Sequence, residues 1–188
     1  MLLDNLKDYK IILASNSPRR RELLKGLGIK YEVKVIPGID EMYPKDLKQG
    51  DIPMYISQKK AEAYNVKDNE LIITADTIVW VDGEVLGKPK DSADAVRMLR
   101  LLSGRIHQVY TGVTLTTTKG QRSFFVSSDV EFAKLSDDEI NYYVVHYKPF
   151  DKAGAYGIQE WIGYVGVKAI SGSYFNVMGL PVQRLYEE

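Results

Sequence analysis

The chain has 188 residues, 45% of them hydrophobic and 27% charged, with 25 Lys+Arg against 25 Asp+Glu and no cysteine. A chain of this size buries about 70% of its unfolded surface, so one core forms without staples, and disulfide scaffolds, zinc ribbons, Fe–S clusters and thiol nucleophiles are excluded. His107 and His146 are too few for an ordinary zinc site, and zero net charge gives no global pull towards nucleic acid or an anionic membrane.

The first residues carry charges at Asp4, Lys7, Asp8 and Lys10, and nothing there resembles the apolar core of a signal peptide. No later stretch approaches the ~20 apolar residues of a membrane span. The expectation is a cytoplasmic protein with no membrane and no nucleic-acid partner.

Ile11-Ile12-Leu13-Ala14 reads as a strand that runs directly into a helix, with Ser17 as N-cap and Pro18 as first helical residue. Leu23, Leu24 and Leu27 form its apolar face, Arg19, Arg20, Arg21 and Lys25 the opposite one, and Gly28 the left-handed cap. Residues 31–36 alternate like a strand, and the polar residues 37–45 form a loop. Asp51 and Pro53 open a second helix running to about Tyr64. Leu71-Ile72-Ile73-Thr74-Ala75 is a compact buried strand, interrupted by Asp76-Thr77 and resumed by Ile78-Val79-Trp80-Val81. Asp82-Gly83 turns a hairpin into Glu84-Val85-Leu86.

Beyond Gly87-Lys88-Pro89-Lys90, Asp91 or Ser92 caps a helix with an Ala95, Met98, Leu99, Leu102 stripe that ends at Gly104. Residues 106–118 and 122–135, separated by Lys119-Gly120, read as an antiparallel hairpin. Ser136 with Glu139 is a capping box for a helix through Val145. Gly154, Gly157, Gly163, Gly166, Gly172 and Gly179 crowd the C-terminal part, where the backbone must turn tightly or approach something closely. Hairpins beside crossover helices imply an α/β or α+β domain with a mixed sheet.

Three features could carry chemistry. The Ser15-Asn16-Ser17-Pro18-Arg19-Arg20 junction puts free N–H groups and guanidinium groups at a helix N-terminus, where phosphate binds, although taken alone a capped surface helix with solvated arginines is the plainer reading. Asp76 interrupts an apolar stretch, and burying an unpaired carboxylate costs several kcal/mol, so a cation, a substrate-bound water or backbone N–H groups must compensate it. Glu41 is a second hard oxygen ligand, and Lys60 and Lys88 are candidate partners for phosphate oxygens. For Lys60, solvated pairing on its helix is the plainer reading. Carboxylates with lysines and arginine suit metal-assisted attack of water on a polyphosphate. There is no G-x-x-x-x-G-K-[ST] and no G-x-G-x-x-G motif.

The ordered set Leu13-Ala14-Ser15-Asn16-Ser17-Pro18-Arg19-Arg20, Ala75-Asp76-Thr77, Gly87-Lys88-Pro89, Leu102-Ser103-Gly104, Tyr110-Thr111-Gly112-Val113, Lys152-Ala153-Gly154-Ala155-Tyr156-Gly157-Ile158-Gln159 and Gly172-Ser173-Tyr174 with Asn176-Val177-Met178-Gly179-Leu180-Pro181 resembles the Maf family. These are nucleotide pyrophosphatases also called septum formation inhibitors. The resemblance implies a single domain over residues 1–188, with two lobes around a cleft and an elongated mixed sheet similar to the inosine triphosphate pyrophosphatase fold. It implies hydrolysis of a nucleoside triphosphate to monophosphate and pyrophosphate with Mg²⁺ or Mn²⁺, in a cytoplasmic protein that is often a homodimer and is linked to cell division arrest.

Carried onto this chain, the resemblance makes Asp76 the proton acceptor, with Glu41 and Asp76 as metal ligands. Ser15, Arg19, Lys60, Thr77, Lys88 and Gln159 then contact substrate. Arg19, Thr77 and Gln159 resemble the subgroup acting on dTTP and UTP. Glu160-Trp161 stands where small residues are expected, which puts bulk and charge beside the base pocket. Two alternatives stay open: a nucleotide-binding regulatory module without turnover, and a pyrophosphatase with a different base preference.

Overall fold

Ile11, Ile12 and Leu13 are all buried, the pattern of a strand covered on both faces. They form β1 (Lys10–Leu13), which pairs in parallel with β2 (Tyr31–Val33) on one side and β3 (Glu70–Val81) on the other. This computed structural model describes residues 3–188. The strand β4 (Glu84–Leu86) returns antiparallel on β3 through Asp82 and Gly83, both at positive φ, as a tight hairpin of this hand requires. Two long strands, β5 (Ile106–Thr117) and β6 (Gly120–Phe132), and the short β7 (Val167–Ser171) complete a seven-stranded sheet. Its order is β2-β1-β3-β5-β6-β7, with β4 beside β3. The expected mixed sheet with flanking helices is what the chain forms.

The chain divides into two compact units. One comprises the chain up to Asp76 with Thr111–Val126 and Gly179–Glu188; the other comprises Thr77–Tyr110 and Ser127–Met178.

In the first unit, α1 (Pro18–Gly26) begins where expected: the Ser17 hydroxyl accepts the Arg20 N–H, Pro18 opens the first turn, and Gly28 sits at φ 73° just beyond. The second helix, α2 (Asp51–Glu62), is fastened by buried hydroxyls. Ser57 donates to the Met54 carbonyl at 2.7 Å, so Thr114, 2.7 Å away, donates to Ser57, and Ser123 lies 2.9 Å from Thr114. Thr74 donates to the Ser57 carbonyl at 2.7 Å. Each hydroxyl is satisfied, so the network orders the helix without a desolvation penalty. Strand β2 stops at Val33, short of the expected end at Ile36. From Lys34 the backbone turns to other partners: the Lys34 carbonyl accepts the Tyr64 hydroxyl at 2.8 Å, and the Ile36 N–H donates to that same hydroxyl at 3.2 Å.

In the second unit, α3 (Ser92–Leu102) buries Ala95, Met98, Leu99 and Leu102, and α4 (Asp137–Tyr147) buries Ile140, Tyr143 and Val144, all in one core with Val130, Phe132 and Ile162. The reciprocal Ser136/Glu139 capping box is present. His107 is buried, shares a 2.7 Å hydrogen bond with the Tyr156 hydroxyl, and meets Phe132 and Tyr156 edge-on. The glycine-rich part holds α5 (Trp161–Gly166), β7, α6 (Tyr174–Met178) and α7 (Val182–Glu187), the last in the first unit. Among the described residues no helix is long and apolar enough to cross a membrane.

Candidate active site

Asp76 is not at a strand end and does not interrupt a strand. It lies inside β3, which runs unbroken from Glu70 to Val81. The backbone ladder is indifferent to side-chain polarity, and the charge is compensated from α2. Lys60 Nζ is 2.8 Å from Asp76 Oδ1, with the two side chains 16% and 14% exposed. Thr74 and Asp76, two apart on β3, face Ser57 and Lys60, three apart on α2, so the strand and helix periods match across the contact.

The same ammonium is 2.9 Å from Glu41 Oε1 in the 37–45 loop. That loop is held by the neighbouring Lys59, which reaches Asp40 Oδ2 at 3.2 Å and the Met42 carbonyl at 3.1 Å. The Met42 N–H and Lys59 keep the Asp40 carboxyl below its usual range. Two adjacent lysines thus dock the loop and bring Glu41 and Asp76 to one cation. Solvated Lys/Glu pairing on the helix does not describe Lys60.

At the start of α1, the Ser15 hydroxyl is buried and accepts the Ser17 N–H at 3.1 Å. Arg19 is half-buried in the first turn. Arg20, which sequence reasoning placed on the solvated face, turns inward and donates from Nε to the Gly179 carbonyl at 2.7 Å. Burial lowers its pKa from the ordinary arginine value; Asp76 opposes this, Arg19 adds to it, and Glu41 opposes it. Arg20 therefore belongs to the electrostatics of the carboxylate cluster. The doubled arginine after Ser17-Pro18 is the signal that could have found it.

Thr77 follows Asp76 in β3 but belongs to the second unit, as do Lys88, exposed in its loop, and Gln159. Gln159 lines a pocket of about 280 Å³ with Ile158, Gly163, Tyr164 and Tyr174, and its Oε1 is buried without a hydrogen-bond partner. Glu160 and Trp161 are not among the lining residues. Trp161 packs on the core of the second unit and meets Tyr142 edge-on. The carboxylate of Glu160 is bonded to Lys152 and Tyr143 instead.

Residues 10–188 match the Maf-like protein family. The chain belongs to the Maf family. A protein of Phocaeicola vulgatus named dTTP/UTP pyrophosphatase is 66% identical over 100% of this chain and 98% of its own. One of Bacteroides thetaiotaomicron with the same name is 62% identical over the same shares. The Ham1 protein of Staphylococcus aureus aligns at 19% identity over 66% of this chain and 72% of its own, with a TM-score of 0.46. The Ser17-Pro18-Arg19-Arg20 and Ala75-Asp76-Thr77 segments lie within the matched residues, at the capped start of α1 and around the carboxylate in β3.

Proposed function

We propose that this chain hydrolyses dTTP and UTP between the α and β phosphates, releasing the nucleoside monophosphate and pyrophosphate in the cytoplasm. The observation that carries the proposal is the cluster in which Lys60 bridges Asp76 at 2.8 Å and Glu41 at 2.9 Å, in a Maf chain whose full-length relatives bear that activity in their names. Water attacks the α phosphorus, a new P–O bond forms, and the α–β bridging bond breaks towards pyrophosphate. Asp76 takes the proton of that water. Its Oδ1 is bonded to Lys60, which leaves Oδ2 for the water. Lys60, Arg19 and Arg20 offset charge on the phosphates, and the N–H groups at Ser15 and the start of α1 orient them.

A divalent cation fits the donor set. Glu41 and Asp76 offer hard carboxylate oxygens that already converge on a cationic atom, and Mg²⁺ or Mn²⁺ is commonly held by one or two carboxylates completed by substrate phosphates. When bound, it would polarise the phosphates and lower the pKa of water.

The buried Oε1 of Gln159 is an acceptor waiting for a donor, and the imide N3–H of uracil or thymine is one, whereas cytosine presents an acceptor there. A site with such a group disfavours bases that leave it unpaired. Tyr164 and Tyr174, which line the same pocket, supply ring faces for stacking.

Hydrolysis of UTP, dTTP, CTP and ITP with Mg²⁺ or Mn²⁺ in oxygen-18 water tests the proposal. Pyrophosphate from UTP and dTTP, with label in the monophosphate, is the expected result. Orthophosphate release, label in pyrophosphate, or no turnover with either metal would sink it.

A further inference from the structure

Glu160 directly follows Gln159 but is not among the residues that line the pocket. Its Oε1 lies 3.0 Å from Lys152 Nζ, and its Oε2 accepts the Tyr143 hydroxyl. That hydroxyl in turn accepts the Gly157 N–H at 3.0 Å, and Lys152 also reaches Asp151 at 2.9 Å. The backbone closes on itself alongside: Ala155 N–H to Lys152 carbonyl, Glu160 N–H to Gly157 carbonyl and Gly163 N–H to Glu160 carbonyl. Gly157 lies against this ring: a Cβ there would stand 2.8 Å from Lys152 Cε and 3.0 Å from Glu160 Cδ, so both side chains would have to shift.

The ring is expensive as mere packing. The Lys152 and Glu160 side chains are 10% and 23% exposed, and apolar residues of the same volume hold a core at least as well as a shielded ion pair. Burial, reinforced by Glu160, pushes the Tyr143 phenol well above its ordinary pKa, so it remains a donor. What the ring does, and apolar packing would not, is fix one geometry for the turn that carries Gln159, whose Oε1 is buried and unpartnered. The polar atoms of the ring fan out from residue 160, one peptide bond away from that amide.

We infer that Glu160, braced by Lys152 and Tyr143, is a positioning residue for base recognition: it holds the Gln159 amide where it accepts the imide N–H of a uracil or thymine base. The inference deepens the reading of Gln159 given above and rests on it. A base-reading amide must be fixed to discriminate, because a freely rotating one presents donor or acceptor as the ligand demands.

Steady-state kinetics with UTP and CTP on Glu160→Gln, Tyr143→Phe, Gln159→Ala and the Gln159→Ala/Glu160→Gln double variant test it. Glu160→Gln is expected to raise the UTP KM about tenfold with kcat within about threefold, and to cut the UTP-over-CTP ratio of kcat/KM about tenfold. Tyr143→Phe moves the ratio in the same direction and carries the test if Glu160→Gln does not fold. On the Gln159→Ala background, Glu160→Gln changes the ratio no further. An unchanged ratio in both single variants, or an equal change with and without Gln159, overturns the positioning role while leaving the Gln159 reading intact. A wild-type enzyme indifferent to the base, or a Gln159→Ala variant that keeps the preference, removes the reading of Gln159 and this inference with it.

Discussion

Lys60 on α2 and Asp76 in the middle of β3 form a shielded ion pair of 2.8 Å, and Glu41 binds the same ammonium at 2.9 Å. The pair joins two elements linked by residues 63–69, so its geometry depends on how α2 is seated.

Asp76→Asn separates chemistry from folding. The amide is isosteric and still accepts from Lys60 through its oxygen, and Lys60 keeps Glu41 as counter-charge. Turnover of UTP is expected to fall about 10³-fold, the scale of a lost general base, with the thermal midpoint close to wild type. Activity within tenfold of wild type would remove Asp76 from the role of proton acceptor.

Lys60→Met tests the same pair through stability. It leaves the Asp76 carboxylate, 14% exposed, without its ammonium, and an orphaned shielded charge costs about 3 kcal/mol. Urea unfolding at pH 7 should show a lower midpoint at unchanged slope. The double variant Lys60→Met/Asp76→Asn should recover much of the loss, because the shielded carboxylate is then gone and Glu41, 50% exposed, is left to water. No recovery would mean that the Lys60 stem, and not its charge, matters to stability.

Burial lowers the pKa of His107 to about 4 from its usual 6.5, so the folded protein keeps it neutral while the unfolded chain protonates it. The unfolded state then binds more protons below pH 6.5. The stabilisation is fully present above that value and is lost as pH falls from 6.5 towards 4, amounting to about 3 kcal/mol. His107→Leu removes this dependence, so the stability difference between wild type and variant, measured by urea unfolding, should change by that amount between pH 7 and pH 4. Parallel curves across the range would show that His107 does not titrate in this way.

What could be read from the sequence was local. The Ser17 cap, the Pro18 start, the Ser136/Glu139 box and the Asp82-Gly83 hairpin each depend on neighbours within a few residues, and each is found. The continuity of β3 was not legible, because Asp76 is tolerated in mid-strand only through Lys60, a tertiary partner. Likewise Arg20 faces inward because of Gly179, at the far end of the chain. The dense glycines correctly announced close approaches: a Cβ on Gly163 would stand 1.7 Å from the Ile158 carbonyl oxygen, and one on Gly154 2.8 Å from Val79. They could not announce α5, α6 or α7, since five or six residues offer too few turns for a periodic pattern to show. Asp76, Lys60 and Glu41 were each singled out as residues, but only the fold brings them to one point.

Gly112 on β5 offers the sharpest test of how α2 positions Lys60. A Cβ there would stand 2.2 Å from the Met54 nitrogen and 2.3 Å from the Pro53 carbonyl carbon, both backbone atoms of α2. Gly112→Ala must therefore push the helix away from the strand, straining the Ser57, Thr74 and Thr114 hydroxyls and displacing Lys60 from Asp76. A loss of about 2 kcal/mol is expected from such overpacking, together with a fall in kcat for UTP that exceeds any change in KM. Gly26→Ala is the matched control, because nothing lies within 4 Å of its Cβ position and alanine is the better helix former. That change should stabilise the protein by up to about 1 kcal/mol and leave kcat unchanged. Opposite signs at Gly112 and Gly26 in urea unfolding, with kcat lost only at Gly112, are the expected pattern. A Gly112→Ala enzyme with wild-type kcat would show that Lys60 does not depend on the seating of α2.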